Sequence, residues 1–308
     1  MEISIIGYSS LVKRKILFSL NKLKEIEQVN IFTRRHIDSK IFENFRFKVF
    51  IHPFENIYNY SKSCNSIFYY ISTENSIHDE LTYLLLSNFK NVLVDKPISL
   101  SLKSLYENIN LARNNQCFLS EVITWEFHSQ VNYLKEFINQ NHITDVSIRF
   151  TIPLPLKDNF RVNQSLGSGV FWDMISYFVS TINFLNIEGV CKKSISKNLG
   201  KFCNQWMKIN LNNEKINLNA IFGFGFPYQN KLEILSKSDY LIFNRIYTSD
   251  PSIPVLVNRV STSDSKEIKF TDDSFMNYFK NVIDLINIGN HESELFNIKE
   301  RYKKIFEI

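Results

Sequence analysis

Six short runs in the first 122 residues, each rich in branched or aromatic side chains, set the strongest limit on the fold. They are ISII (3–6), VNIF (29–32), FKVF (47–50), SIFYYI (66–71), NVLV (91–94) and CFLSEV (117–122). Helix-periodic stretches lie between them, clearest at 11–24, 75–88 and 100–114. That alternation predicts βαβ units feeding a parallel sheet. The runs are almost continuously apolar, as strands buried on both faces require.

The texture changes after about residue 122. A helix-periodic stretch at 128–139 leads to TDVSIRFTI (144–152), where polar and apolar residues alternate. A long helix is predicted at 168–185. Alternating segments follow at 190–197, 206–212, 216–224, 230–236, 239–247 and 255–261, with no helical pattern between them. Alternation marks strands with one packed and one more open face, the pattern of an antiparallel or mixed sheet. Two helices, 273–287 and 292–305, close the sequence. The expectation is α/β: a doubly wound parallel-sheet domain at 1–122, then an α+β domain at 123–308 with a large open, mostly antiparallel sheet. The terminal helices belong to the second domain or pack back toward the first.

Bulk properties exclude several classes. The net charge is +5, from 36 basic and 31 acidic residues among 308. Charge so mild and scattered does not imply nucleic acid. No apolar run approaches the roughly 20 residues of a membrane span, and the N-terminus does not read as a signal peptide, so a cytoplasmic protein is expected. Cys64, Cys117, Cys191 and Cys203 show no CxxC spacing. Reduced structural thiols are expected, with no metal site.

Polar residues cluster where the predicted strands end. After the first strand, Gly7, Ser9 and Val12 stand where a dinucleotide fingerprint has G-x-G-x-x-G. Ser9, Ser10 and Leu11 then open either a phosphate-binding turn or a plain capped helix. The second strand ends in Thr33-Arg34-Arg35, not in the acidic residue that holds ribose hydroxyls in NAD-binding chains. A hydroxyl and guanidinium forks suit a phosphate, so NADP(H) is favoured over NAD(H); the alternative is a solvated basic turn. Ser72, Thr73, Asn75 and His78 leave the fourth strand. Asp95-Lys96-Pro97 leaves the fifth, and its lysine either reaches a ligand or lies on the surface before a proline-initiated helix. Gly167-Ser168-Gly169 precedes a helix on which Asp173 and Tyr177 share a face at i, i+4. Arg161, Trp172 and Arg245 are candidates for a sugar or phosphate.

Taken in order, these segments resemble the Gfo/Idh/MocA family of nicotinamide-dependent sugar oxidoreductases over residues 3–185. ISTENSIH is similar to the family's aliphatic-A-T-P-N-x-x-H, with Glu74 in place of Pro. VLVDKP is similar to V-x-x-E-K-P, with Asp95 for Glu. GSGVFWDMISY is similar to G-G-G-x-x-x-D-x-G-x-H/Y, with Ser168 and Ser176 replacing glycines. The resemblance implies a Rossmann domain and a cofactor site that includes Gly7, Ser9, Ser10, Leu11, Thr33, Arg34, Arg35, Ser72, Thr73, Asn75, His78, Asp95, Lys96 and Pro97.

It also implies a catalytic pair, Lys96 and Tyr177, with Asp173 as orienter or substrate contact and the site in the cleft between domains. Tyr at the last position is similar to members that reduce keto groups on nucleotide-linked sugars. Arg161 and Trp172 would then meet the substrate. Two other readings stay open: a catalytically degenerate NADP-binding regulator, and a redox-neutral, hydride-assisted sugar enzyme. A homodimer or higher homo-oligomer through the open sheet face is implied as well.

Overall fold

The computed structural model describes residues 1–156, 159–195 and 204–308. Within these the chain divides into two units, Met1–Val122 with Phe275–Lys303, and Ile123–Ser274 with Lys304–Ile308.

The first unit opens with β1 (Glu2–Ile6), whose last four residues are buried. A π-helical turn, Val12–Ile16, runs into α1 (Leu17–Asn21), so the helix expected at 11–24 stops three residues early. Then come β2 (Gln28–Thr33), β3 (Lys48–Pro53), α2 (Ile57–Ser63), β4 (Tyr69–Ile71), α3 (His78–Ser87), β5 (Val92–Asp95), α4 (Leu102–Asn114) and β6 (Leu119–Val122). The six strands pair in the order β3-β2-β1-β4-β5-β6, every pairing parallel. That order is the doubly wound nucleotide-binding topology, which reverses direction at β1 and β4. α4 shows the local logic. Ser101 caps it by accepting from the Ser104 amide, and Leu105, Ile109 and Ala112 form its buried stripe. Sequence periodicity missed α2, because this short helix buries only Ile57 and Ser61.

The second unit begins with α5 (Gln130–Gln140), β7 (Ile143–Ile152) and α6 (Val170–Phe184). β8 (Val190–Ile195), β9 (Trp206–Asn212), β10 (Asn217–Phe224), β11 (Gln229–Ser236), β12 (Asp239–Asn244), β13 (Val255–Ser261) and β14 (Ser265–Phe270) follow. They build an eight-stranded sheet ordered β14-β13-β12-β11-β7-β10-β9-β8. β7 and β10 are parallel, and the other pairings are antiparallel. Burial alternates along β9 to β12, as the sequence pattern predicts, and α6 packs on β9 and β10. β14 escaped sequence reading because an edge strand with charged, exposed residues carries little apolar alternation. Residues 196–197 of the expected 190–197 strand, and Cys203, lie outside the described residues; Cys64, Cys117 and Cys191 are free thiols.

The last helices are α7 (Ser274–Asn287) and α8 (Glu292–Glu307). Phe275–Lys303 cluster with the first unit. Aromatic packing explains it. Phe279 stacks on Phe68 at 5.7 Å and 9° and meets the edge of Tyr70 at 6.1 Å. From α8, Arg301 pairs with the wholly buried Glu121 carboxylate at 2.8 Å. Tyr302 donates to the same carboxylate at 2.7 Å and accepts from the Ile98 amide at 2.8 Å.

Candidate active site

The carboxyl ends of β1, β4 and β5 are joined by one chain of hydrogen bonds. The Val12 amide donates to Ser9 Oγ at 3.1 Å, and Ser72 Oγ donates to Asp95 Oδ2 at 2.6 Å. With the Ser72 proton so used, the Ser9–Ser72 contact of 2.8 Å has Ser9 as donor. Tyr70 donates to Asp95 Oδ1. Strand register explains the meeting: Tyr70 pairs with Leu93 and Ile71 with Val94, which brings Ser72 beside Asp95. Loss of solvent raises the Asp95 carboxyl above its ordinary value, and the bonds from Ser72 and Tyr70 act against that rise. Asp95 therefore ties strand ends together beside Lys96.

Gly7 makes this arrangement possible. Its φ is +95°, and a Cβ there would lie 2.3 Å from the Ser72 carbonyl oxygen, a position closed to other residues. The Gly7 amide donates to the Phe32 carbonyl at 2.8 Å, joining the β1 exit to β2. Ser10 is exposed and Leu11 half-buried at the start of the helical turn.

His78 is wholly buried. Its Nδ1 lies 2.8 Å from the Pro97 carbonyl and its Nε2 3.3 Å from the Thr73 carbonyl. The ring thus bridges the loop after β4 to the half-buried Lys96 and its cis peptide with Pro97. Asn75 is buried at the same loop, and the Thr73 hydroxyl donates to the Glu74 carbonyl at 3.4 Å.

At the end of β2, Thr33 is buried and its hydroxyl accepts from the Arg35 amide at 3.0 Å. Arg34 and Arg35 are exposed. Arg34 lies over the Phe54 ring at 4.3 Å and donates to Glu74 at 3.1 Å. Exposed guanidinium groups above a β-strand end are a donor set that fits the phosphate-bearing half of a dinucleotide.

In the second unit, Gly169 (φ +107°) starts α6, and its carbonyl accepts from the Asp173 amide at 3.1 Å. Asp173 is buried and takes Arg161 Nε on Oδ2 at 3.0 Å. Two residues singled out separately in the sequence thus form one ion pair. Tyr177 packs against Phe150 at 5.3 Å and Tyr247 at 4.9 Å. Tyr247 donates to or accepts from Thr181 Oγ1 at 2.9 Å, and burial pushes its phenol well up. Trp172 is half-buried against Phe171 and Phe306. Arg245 has a left-handed backbone (φ +60°) and lies 5.6 Å from the Tyr228 ring.

Several site residues gave no sequence signal. Tyr70 sits in an aromatic strand that reads as plain core, and Tyr247 is the last residue of an alternating segment. Glu121 ends an apolar run, where a buried carboxylate needs a partner. That partner, Arg301, is 180 residues away.

The model of the Gfo/Idh/MocA oxidoreductase family, NAD-binding Rossmann fold, matches residues 1–122. Trans-1,2-dihydrobenzene-1,2-diol dehydrogenase of Xenopus laevis is 28% identical over 118 residues, 38% of this chain and 36% of that protein. Its counterpart in Xenopus tropicalis is 26% identical over the same shares, so the match spans about a third of those relatives. Among solved structures, KijD10, a 3-ketoreductase from Actinomadura kijaniata in complex with NADP and TDP-benzene, superposes with a TM-score of 0.87. It is 18% identical, with 98% of this chain and 94% of that one covered. An aldose-aldose oxidoreductase from Caulobacter crescentus, complexed with glycerol, gives a TM-score of 0.84 at 12% identity, covering 99% and 96%. At such identities the likeness establishes the fold. The likeness to that family's NAD-binding Rossmann domain thus covers the first 122 of the 308 residues.

Proposed function

We propose that the protein is an oxidoreductase that uses NADP(H) in preference to NAD(H) to reduce a keto group on a sugar or nucleotide-linked sugar. The observation that carries this reading is the anchoring of Asp95. Its carboxylate is held by Tyr70 and Ser72, so the following residue, Lys96, leaves the carboxyl end of β5 from a fixed point. In open α/β sheets that edge is where ligands bind.

When bound, the reduced nicotinamide supplies hydride to a carbonyl carbon. Lys96 then stabilises negative charge on the carbonyl oxygen, and Tyr177 donates the proton. Asp173, fixed by Arg161, orients the substrate or contacts it, and Trp172 adds an apolar face for a sugar ring. Thr33, Arg34 and Arg35 face the 2′-phosphate end of the cofactor. KijD10, solved with NADP and TDP-benzene, and the departure of β2 from an acidic ending both favour this version. The test is NADPH oxidation against a panel of nucleotide-linked keto-sugars, preceded by thermal-shift titration with NADPH and NADH. Stabilisation by NADPH and turnover of a keto-sugar are expected; no stabilisation by either cofactor would overturn the reading.

The same reading includes a homodimer or higher homo-oligomer. Trp206, Ile221, Leu235 and Val260 stand exposed on one face of the eight-stranded sheet, interspersed with Lys208 and Arg149. Light scattering that returned a monomeric mass would remove it.

A further inference from the structure

Arg34 and Glu74 form an ion pair, Nη1 to Oε1 at 3.1 Å. The two residues follow β2 and β4, and the sheet order puts β1 between those strands. The pair therefore spans two inter-strand spacings, about 10 Å, across the carboxyl end of β1. A dinucleotide on this topology follows that same line, with its adenosine half at the end of β2. Arg34 is held on a second side by the Phe54 ring, 4.3 Å from its guanidinium carbon.

Charge decides what this arrangement favours. A 2′-phosphate that recruits Arg34 must compete with a carboxylate already bound there, and it brings its own negative charge toward Glu74. A free ribose 2′-hydroxyl meets no such opposition, because a carboxylate can accept its hydrogen bond. In NAD-binding chains an acidic residue at the end of β2 does this. Here β2 runs directly into Arg34, Arg35 and His36, yet the fold brings a carboxylate to the Arg34 guanidinium from the loop after β4.

We propose that Glu74 is a cofactor-selectivity residue: by holding Arg34 it weakens recognition of the 2′-phosphate and narrows the preference for NADPH over NADH. This rests on the oxidoreductase reading above, through its claim that the first unit binds a nicotinamide dinucleotide. Arg35, exposed and one residue on, is then the cation that keeps NADPH ahead.

The experiment titrates wild type, Glu74→Gln, Arg34→Ala and the double variant with NADPH and with NADH, following nicotinamide fluorescence. Melting curves confirm that each variant is folded. Glu74→Gln is expected to tighten NADPH roughly five-fold, the scale of an exposed ion pair, and to leave NADH unchanged or weaker. In the Arg34→Ala background the same change should favour NADPH by less than it does with Arg34 present. An unchanged NADPH/NADH ratio in Glu74→Gln, or weaker NADPH binding, overturns the role of Glu74 while the oxidoreductase reading stands. Failure of wild type to bind either cofactor overturns both.

Discussion

The Tyr302 hydroxyl stands 2.7 Å from Glu121 Oε1, donating to it while accepting the Ile98 amide at 2.8 Å. A residue near the end of the chain thereby holds the backbone two positions after Lys96. The Ile98 amide also reaches Glu121 Oε1 at 3.2 Å, so the three groups close a small ring of bonds. Tyr302→Phe removes one donor and one acceptor from this buried place. It should destabilise the protein by about 1–3 kcal/mol. Urea denaturation is the check, read as a lower midpoint with an unchanged slope.

Gly7→Ala asks for a left-handed backbone and a methyl group against a main-chain oxygen at once. The loop after β4 would have to move, and with it Ser72 and its bond to Asp95. A loss of about 2 kcal/mol or more is expected, visible as a lower melting temperature and accompanied by weaker NADPH binding. Melting at the wild-type temperature would show that the β1 exit is looser than described.

Asp95 should leave a signature in the pH dependence of stability. Burial raises its folded pKa above the ordinary 3.8. A group of that kind contributes stability that is fully present below its unfolded value and is lost as pH rises through its folded value. Wild type should therefore gain on Asp95→Asn as pH falls from about 7 toward 4. Denaturant midpoints of both proteins at several pH values decide it. A gap that stays constant, or moves the other way, would mean that the carboxyl is not raised.

Tyr177→Phe keeps the ring packing on Phe150 and Tyr247 and removes only the hydroxyl. Turnover of a keto-sugar should drop by roughly 10²–10⁴-fold, the scale of general acid catalysis, with NADPH affinity intact. Lys96→Ala should lower turnover as well. A folded Lys96→Ala protein with wild-type turnover would remove that lysine from the chemistry.

The sheet of the first unit was legible in the sequence because parallel, twice-buried strands leave uninterrupted apolar runs, as in ISII and NVLV. The strands of the second unit were legible from alternation, up to the edge, where β14 needs no apolar face. At the candidate site, motif spacing singled out Lys96, Asp173 and Tyr177. It did not reach Tyr70, which holds Asp95, and it named Ser72 and Arg161 without pairing them with Asp95 and Asp173. Tyr70 looks like core until register brings the end of β4 against Asp95. Arg161 reads in the sequence as a candidate sugar or phosphate contact, and its ion pair with Asp173 appears only once the turn before α6 brings the two together. Partners of a buried carboxylate are chosen by tertiary proximity, which leaves no periodic trace.

The stretch that matches the oxidoreductase family ends at Val122, whereas the unit it belongs to also includes Phe275–Lys303. Cut at residue 122, the polypeptide would bare the ring of Phe68 to water and strand the Glu121 carboxylate without its guanidinium, which is severely destabilising. The recognisable module is thus not autonomous here. Minimal versions for dissection or fusion need the distal helices grafted on, as a permuted chain, before they can be expected to fold.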